Sequence, residues 1–331
     1  MRLPKFQYLE PATLAETIPL LMEHQGRSKV IAGGTDLLVA LKQRLHTPAY
    51  LISLSNLAAL KGIREEDGMV TIGPLTTLEG VSAAPLIREK LPGLAQAAWE
   101  VGSPLLRPMA TIGGNLCLDN RCRFYNQSLF WRSARQPCCK AGGKVCHVTN
   151  KENACFSTYS GDVAPVLIAL QAEIKLVGSQ GERILPLEQF YTGDGRRPNL
   201  IGGGEAELLT EIRIPLSSHT GCMYKKYRLR DSIDFPVVGV AVALRLDQPQ
   251  GICREAKIVI TGVGSRPVEA TQAGEKLTGR EMRPEFILAA SETAAAEIHP
   301  VRTDQVGPSF KRHLVRVMVA EIIRELGGVD R

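Results

Sequence analysis

Six of the eight cysteines in this 331-residue chain fall within fewer than 40 residues: Cys117, Cys122, Cys138, Cys139, Cys146 and Cys155. Thiolates at this density serve zinc or an iron–sulfur cluster, since both take four cysteines. No C-x2-C pair occurs, and only Cys117 and Cys122 come near that pattern. The wide spacing of Cys122, Cys138, Cys146 and Cys155 suits a larger cluster in a wrapping loop, and spacing by itself leaves zinc and iron–sulfur both open. Unliganded buried thiols are the bland alternative, and they fit Cys222 and Cys253, which stand alone on expected strands. Phe124, Tyr125, Phe130 and Trp131 are placed to exclude water from a cluster or simply to pack. His147 is read as a neighbour of Cys146 rather than a ligand.

Two glycine pairs offer a second chemistry. Ala32-Gly33-Gly34-Thr35-Asp36 follows an expected strand and precedes an expected helix, and Thr111-Ile112-Gly113-Gly114-Asn115 repeats the device about 80 residues later. Without Cβ atoms, backbone N–H groups can approach a pyrophosphate closely, and a helix N-terminus favours its charge. Two such turns could clamp one extended cofactor from two subdomains. The alternative for the first is an ordinary turn capped by Thr35 or Asp36. Asp162, in Ser160-Gly161-Asp162-Val163-Ala164-Pro165, could accept hydrogen bonds from ribityl or ribose hydroxyls, cap the helix that follows, or do both. No G-x-G-x-x-G occurs, so the nicotinamide dinucleotide fingerprint is missing.

The elements that must position these groups follow from periodicity and turn signals. Strands at 5–9, 28–31 and 50–54 with intervening helices form a compact β-α-β unit. Hairpins are expected at 62–64 with 69–72, across Asp67-Gly68, and at 172–177 with 182–186; helices are expected at 77–82 and 86–101. A strand at 207–214 ends at Pro215, and 217–221 reads as a linker. Three strands (222–229, 237–246, 256–262) and then three helices (270–277, 284–298, 309–326) predict an α+β unit with its sheet covered on one side.

Length predicts two domains, and 44% hydrophobic with 22% charged residues is an ordinary globular composition. The N-terminus has no apolar signal core, and the longest apolar run, near 237–244, is too short to span a bilayer, so a cytoplasmic protein without a membrane span is expected. In that compartment clustered thiols point to metal or redox chemistry rather than disulfides. Of the +6 net charge, +5 lies between Cys117 and Cys155, where seven Lys and Arg face two Asp and Glu. Coincidence with the cysteines favours balancing of an anionic thiolate centre over nucleic-acid binding.

Taken together, the first glycine loop, Thr-Ile-Gly-Gly-Asn and Gly-Asp-Val-Ala-Pro resemble the FAD-binding subunits of the molybdenum hydroxylase family, the relatives of xanthine dehydrogenase and aerobic carbon monoxide dehydrogenase. The resemblance spans nearly the whole chain. It implies an α+β fold: a two-subdomain FAD-binding domain of the PCMH type over 1–216, with subdomains of about 1–56 and 57–216, and a smaller C-terminal domain over 217–331 with a three-stranded antiparallel sheet and helices. It implies FAD contacts at Lys29, Val30, Ile31, Ala32, Gly33, Gly34, Thr35, Asp36, Thr111, Ile112, Gly113, Gly114, Asn115 and Asp162. Val101, Leu209 and Lys226 (or Lys225) follow by spacing.

This chain departs from most of the family in the stretch of about 45 residues between the Gly-Gly-Asn and Asp turns, which holds the cysteines. That insert, about 116–158, resembles the 4-hydroxybenzoyl-CoA reductase branch, whose flavin subunit carries an additional 4Fe-4S cluster. The resemblance implies Cys122, Cys138, Cys146 and Cys155 as ligands, with Cys117 and Cys139 spare. It also implies a molybdopterin-binding subunit, a 2Fe-2S subunit and a ferredoxin-like donor as partners, with substrate chemistry on another subunit and no catalytic acid, base or nucleophile here. Two alternatives stand beside it: the FAD subunit of an oxidising hydroxylase with a zinc-stabilised insert, and a non-catalytic metal-dependent regulator.

Overall fold

The computed structural model describes residues 2–201, 206–216, 221–247 and 251–329. Strands β1 (Gln7–Leu9), β2 (Ser28–Ile31) and β3 (Tyr50–Ser53) form a parallel sheet in the order β1-β3-β2. Helices α1 (Leu14–Glu23) and α2 (Leu37–Lys42) make the crossovers that parallel pairing requires. Leu21, Ile52, Leu54 and Leu57 form the small core of this unit.

The second unit opens with the hairpin β4 (Ile63–Glu66) and β5 (Met69–Ile72). Asp67 and Gly68 turn it with φ of 51° and 72°, the left-handed pair that a two-residue hairpin favours. The single helix expected over 86–101 is two, α4 (Pro85–Lys90) and α5 (Pro92–Glu100), preceded by α3 (Leu78–Ala83). Pro92 has no N–H to continue α4 and instead opens α5 at its first turn. The chain continues through α6 (Ile112–Leu116), α7 (Leu129–Ser133) and α8 (Val163–Ala169) to β6 (Glu173–Gly178) and β7 (Gly181–Pro186). After the small hairpin β8 (Tyr191–Asp194) and β9 (Arg197–Asn199), β10 (Glu207–Pro215) enters the middle of an antiparallel sheet, β4-β5-β10-β6-β7. A bulge falls between Leu209 and Glu211. Most of the expected linker, 217–220, lies outside the described residues.

The last unit holds β11 (Gly221–Tyr227), β12 (Val238–Asp247), β13 (Ile252–Thr261) and β14 (Val268–Glu269), then α9 (Thr271–Glu275), α10 (Pro284–Glu297) and α11 (Pro308–Gly327). Two expectations need correction. The sheet has four strands rather than three, because the two-residue β14 folds back on β13. It is also covered on both faces. Along β12, Val238, Val240, Val242 and Leu244 join the core shared with α10 and α11, whereas Ala241 and Ala243 join the core that contains α5 and α8. From Val238 to Leu244 the strand carries no polar residue and is buried throughout, which leaves no face there for water.

The insert is mostly irregular. Paired backbone hydrogen bonds of 2.8 Å between Arg121 and Thr158 close its neck, and a bridge between Val145 and Glu152 closes a smaller loop within it. No helix among the described residues is long and apolar enough to cross a membrane.

Candidate cofactor sites

The two glycine turns abut. Gly33 lies directly against Met109, where an added Cβ would fall 1.7 Å from the carbonyl oxygen, and Met109 leads into the second turn. Gly34 takes φ of 71° and lets the chain turn from β2 into α2. Asp36 stands at the N-cap of α2 without a side-chain capping bond, so the capped-turn alternative does not hold for it. Lys29 is exposed on β2, and Val30 to Asp36 are half-buried.

In the second turn the Thr111 hydroxyl accepts from the Gly114 N–H at 3.1 Å and caps α6. A Cβ on Gly113 would sit 2.5 Å from that of Pro74, whereas one on Gly114 would meet only Thr111 Oγ1, at 2.9 Å. Gly33 and Gly113 therefore serve close packing of the loops, and Gly114 is the position whose missing side chain leaves space. Ile112 and Asn115 are buried, and Asn115 Oδ1 accepts from the Val163 N–H at 3.4 Å, tying this turn to the next.

Asp162 does not cap α8 with its side chain. Its Oδ1 instead accepts from the Tyr224 hydroxyl at 2.8 Å and lies 3.0 Å from Lys226 Nζ. Lys226 Nζ also donates to the Glu100 carbonyl at 2.9 Å, beside Val101. The Asp162 and Lys226 side chains are 3% and 1% exposed, so this is a fully buried ion pair. Burial raises the Asp162 carboxyl above the usual carboxylate range, against the opposing pull of Lys226 and Tyr224. Alternation along β11 turns Lys225 the other way, to Glu321 and Glu325 of α11, so Lys226 is the residue at this turn. Leu209 is buried in the adjoining core, next to the bulge in β10. Tyr224 was missed from the sequence, although its position two residues before Lys226 puts both on one strand face.

Five cysteines line one cavity: Cys122, Cys138, Cys139, Cys146 and Cys155, with Tyr125 and His147 among its walls. Cys139, expected to be spare, is thus in the wall, its thiol donating to the Lys144 carbonyl at 2.9 Å. Cys117 is apart from it, against the central core, where burial pushes its thiol up to about 12. Backbone N–H groups of Phe124 and Tyr125 point at Cys122, and those of Val148 and Thr149 point at Cys146, the same two-and-three-residues-on pattern at both. Burial pushes Cys122 up to about 11 despite its two donors. At Cys146 burial is outweighed by these donors, the Thr149 hydroxyl and the Phe156 N–H, and the thiol is held below its ordinary value. N–H groups aimed at sulfur stabilise thiolate, the form that binds metal. Among the described residues, no three His, Cys, Asp or Glu side chains converge tightly enough for a single metal ion. The thiols surround a space rather than a point. Phe130, expected to shield this centre, is 90% exposed.

The insert's cations divide by role. Lys140 is 4% exposed and donates to Asp119 Oδ1 and the Gly195 carbonyl, both at 2.6 Å. Arg132 donates to the Gln43 and Arg44 carbonyls at 3.3 and 2.8 Å. Arg121 pairs with Asp36, and burial lowers its guanidinium to about 10, so it stays charged at neutral pH. Arg123, Arg135, Lys144 and Lys151 are exposed. Arg121 and Tyr159 were missed from the sequence because their partners lie far away in the chain. Tyr159 is fully buried, and its hydroxyl meets the Asn115 carbonyl at 3.2 Å and the Tyr191 hydroxyl at 3.1 Å.

The profile described as the FAD binding domain in molybdopterin dehydrogenase matches residues 4–217, and that of the CO dehydrogenase flavoprotein C-terminal domain matches 223–326. The chain is 26% identical over 321 residues to a xanthine dehydrogenase FAD-binding subunit of Escherichia coli, covering 96% of this chain and 94% of that one. It is 28% identical over 330 residues to the nicotinate dehydrogenase FAD-subunit of Eubacterium barkeri, covering 98% of each. The cyanide-inactivated crystal structure of a Cu,Mo-CO dehydrogenase superposes with a TM-score of 0.81 at 26% identity, covering 100% of both chains. The chain belongs to the FAD-binding subunits of the molybdenum hydroxylase family, as an oxidoreductase subunit of mixed α+β fold whose FAD-binding domain precedes a smaller C-terminal domain.

Proposed function

We propose that this chain carries a 4Fe-4S cluster beside FAD and is the electron-transfer subunit of a 4-hydroxybenzoyl-CoA reductase, in which reductive dehydroxylation to benzoyl-CoA occurs on another subunit. The single observation that carries this reading is the cavity in the insert, walled by five thiols of which two receive backbone N–H groups. Ligands that surround a space suit a cubane better than a lone zinc, which needs four sulfurs about 2.3 Å from one point. Cys122, Cys138, Cys146 and Cys155 would hold the cluster, and buried Lys140 would offset its charge.

The glycine turns and the Asp162 turn would hold FAD. Among the described residues, the Tyr224 and Lys226 contacts to Asp162 both fall on Oδ1, and Oδ2 would accept from a ribityl or ribose hydroxyl. Lys226 fixes that carboxylate and the Glu100–Val101 junction together. Bound here, the two cofactors supply one-electron and two-electron transfer, while the protein supplies position, burial and charge. Partners on this reading are a molybdopterin-binding subunit, a 2Fe-2S subunit and a ferredoxin-like donor.

One observation favours a second reading: the relatives reported above are named as dehydrogenases. The chain would then be the FAD subunit of an oxidising hydroxylase, with a zinc-stabilised insert. Metal and sulfide analysis of the purified chain decides between them. Iron and acid-labile sulfide at about four each per chain support the reductase reading, and stoichiometric zinc without sulfide refutes it. Bound flavin in the same preparation excludes a non-catalytic regulator.

A further inference from the structure

Helix α2, which carries the first glycine turn at its N-terminal end, is gripped at both ends by the insert. At the N-cap, Asp36 pairs with Arg121, and the guanidinium lies 4.5 Å from the Phe235 ring centroid in the C-terminal unit. At the other end, Arg132 donates to the carbonyls of Gln43 and Arg44, where a helix C-terminus favours positive charge. The two arginines reach α2 from opposite sides of Cys122 and Tyr125. Arg121 directly precedes Cys122, and its backbone forms the insert's neck with Thr158. Arg132 lies on α7 between Cys122 and Cys138. Its guanidinium is 5.9 Å from the ring centroid of Tyr125, a wall of the cysteine cavity. Arg121 Nε is buried and has no hydrogen-bond partner among the described residues. From the cavity to the first glycine turn the insert reaches α2 through the Arg121–Asp36 ion pair, the Arg132 hydrogen bonds and the contact of Arg132 with the Tyr125 ring.

We propose that the insert is a clamp on α2, with Arg121 and Arg132 as positioning residues, so that filling the cysteine cavity and binding FAD are thermodynamically coupled. This rests on the reading of the insert as a cluster site. The insert is mostly irregular, and its internal backbone hydrogen bonds beyond the neck are local turns and one small bridge, none of which joins the Cys122 turn to the Cys138 turn; a ligated cluster would fix Cys122 and Cys138 relative to each other. That fixes the two arginines at the spacing of α2. Without the cluster, Asp36 loses a fixed partner, and the glycine turn must be ordered at the expense of FAD binding energy. Linkage makes the effect reciprocal: a factor by which the cluster tightens FAD is the factor by which FAD tightens the cluster.

The test uses the purified full chain, stripped of flavin and titrated with FAD by fluorescence quenching, before and after iron is removed with a chelator. We expect FAD to bind at least about tenfold more weakly without iron, and saturating FAD to slow iron loss to the chelator. Arg132→Gln is the informative variant. Arg132 holds the end of α2 remote from the glycine turn, about 9 Å of helix away, so it acts on FAD only through the helix. Arg132→Gln, alone and with Arg121→Lys, should keep its iron and circular dichroism, bind FAD more weakly, and lose most of the dependence on iron. FAD affinity in the wild type that ignores iron removal overturns the proposal. So does weakened binding in Arg132→Gln that stays fully iron-dependent. If the purified chain has flavin but neither iron nor sulfide, the cluster reading itself fails. In that event Arg132→Gln with unchanged FAD affinity refutes the clamp separately.

Discussion

Replacing Lys226 by Met should destabilise the chain in a way that depends on pH. Asp162 and Lys226 are both almost fully buried, and the carboxylate's other partner among the described residues is the Tyr224 hydroxyl. Breaking a buried pair by removing one partner costs about 3–5 kcal/mol, since the other charge is left in a poor medium. Asp162 escapes that cost by taking up a proton. Burial already raises its folded-state carboxyl, and Lys226 is the first force opposing the rise. Without Lys226 the folded form binds the proton more tightly still, whereas the unfolded form keeps its ordinary affinity. Stability held by a raised carboxyl is complete below the unfolded value and lost as pH climbs through the folded one. The variant should therefore lie closest to wild type near pH 5 and fall behind by up to about 1.4 kcal/mol per pH unit until Asp162 is ionised. Urea unfolding of the flavin-free chain at several pH values measures this without a contribution from ligand release. Asp162→Asn with Lys226→Met removes both charges and should recover most of the loss. A Lys226→Met chain as stable as wild type at about pH 8, or a deficit indifferent to pH, would refute the reasoning.

Three further outcomes follow from the same geometry. Gly114→Val should keep the fold and iron but lose most bound flavin, read as flavin absorbance per chain, whereas Gly33→Ala should fail to fold, because its Cβ would meet the Met109 carbonyl at 1.7 Å. Iron content should survive Cys117→Ser and collapse in Cys122→Ser or Cys146→Ser, since only the latter thiols line the cavity and receive N–H groups. Tyr159→Phe should cost about 1–3 kcal/mol by leaving buried carbonyl and hydroxyl groups unpaired, measured as a lowered urea midpoint.

Much of this arrangement was legible where the signal is local. Asp67-Gly68 marked its hairpin, and two glycine pairs after short apolar runs marked the turns that the fold brings together. Pro92 was equally visible and was read through, because the apolar period continues across it into α5. The sheet's second covered face was written in β12, whose valines and alanines alternate without a polar residue. What stayed hidden depends on distant partners. Nothing near Arg121 announces Asp36, 85 positions earlier, and nothing near Tyr159 announces the carbonyl of Asn115. The net charge of the insert was readable, but its division into bonded struts (Lys140, Arg132, Arg121) and exposed cations (Arg123, Arg135, Lys144, Lys151) exists only in three dimensions.

The alternation in β12 limits how this protein could have been assembled or could be recombined. Its valines and Leu244 belong to one interior, and its alanines, with Cys222 and Tyr224 from β11, belong to the other. A single sheet is therefore the partition wall of two rooms, and along β12 larger side chains face one room and alanines the other. Small residues there admit α5 and α8 at close range, and Gly93 of α5 would put a Cβ 2.7 Å from the Cys222 carbonyl. A chimera that exchanges the C-terminal unit with a relative would have to bring matching versions of both helices, or leave gaps and collisions along that wall. Recombination within this family should thus be tolerated in the part of the insert beyond its Arg121–Thr158 neck, and resisted at the chain's main boundary.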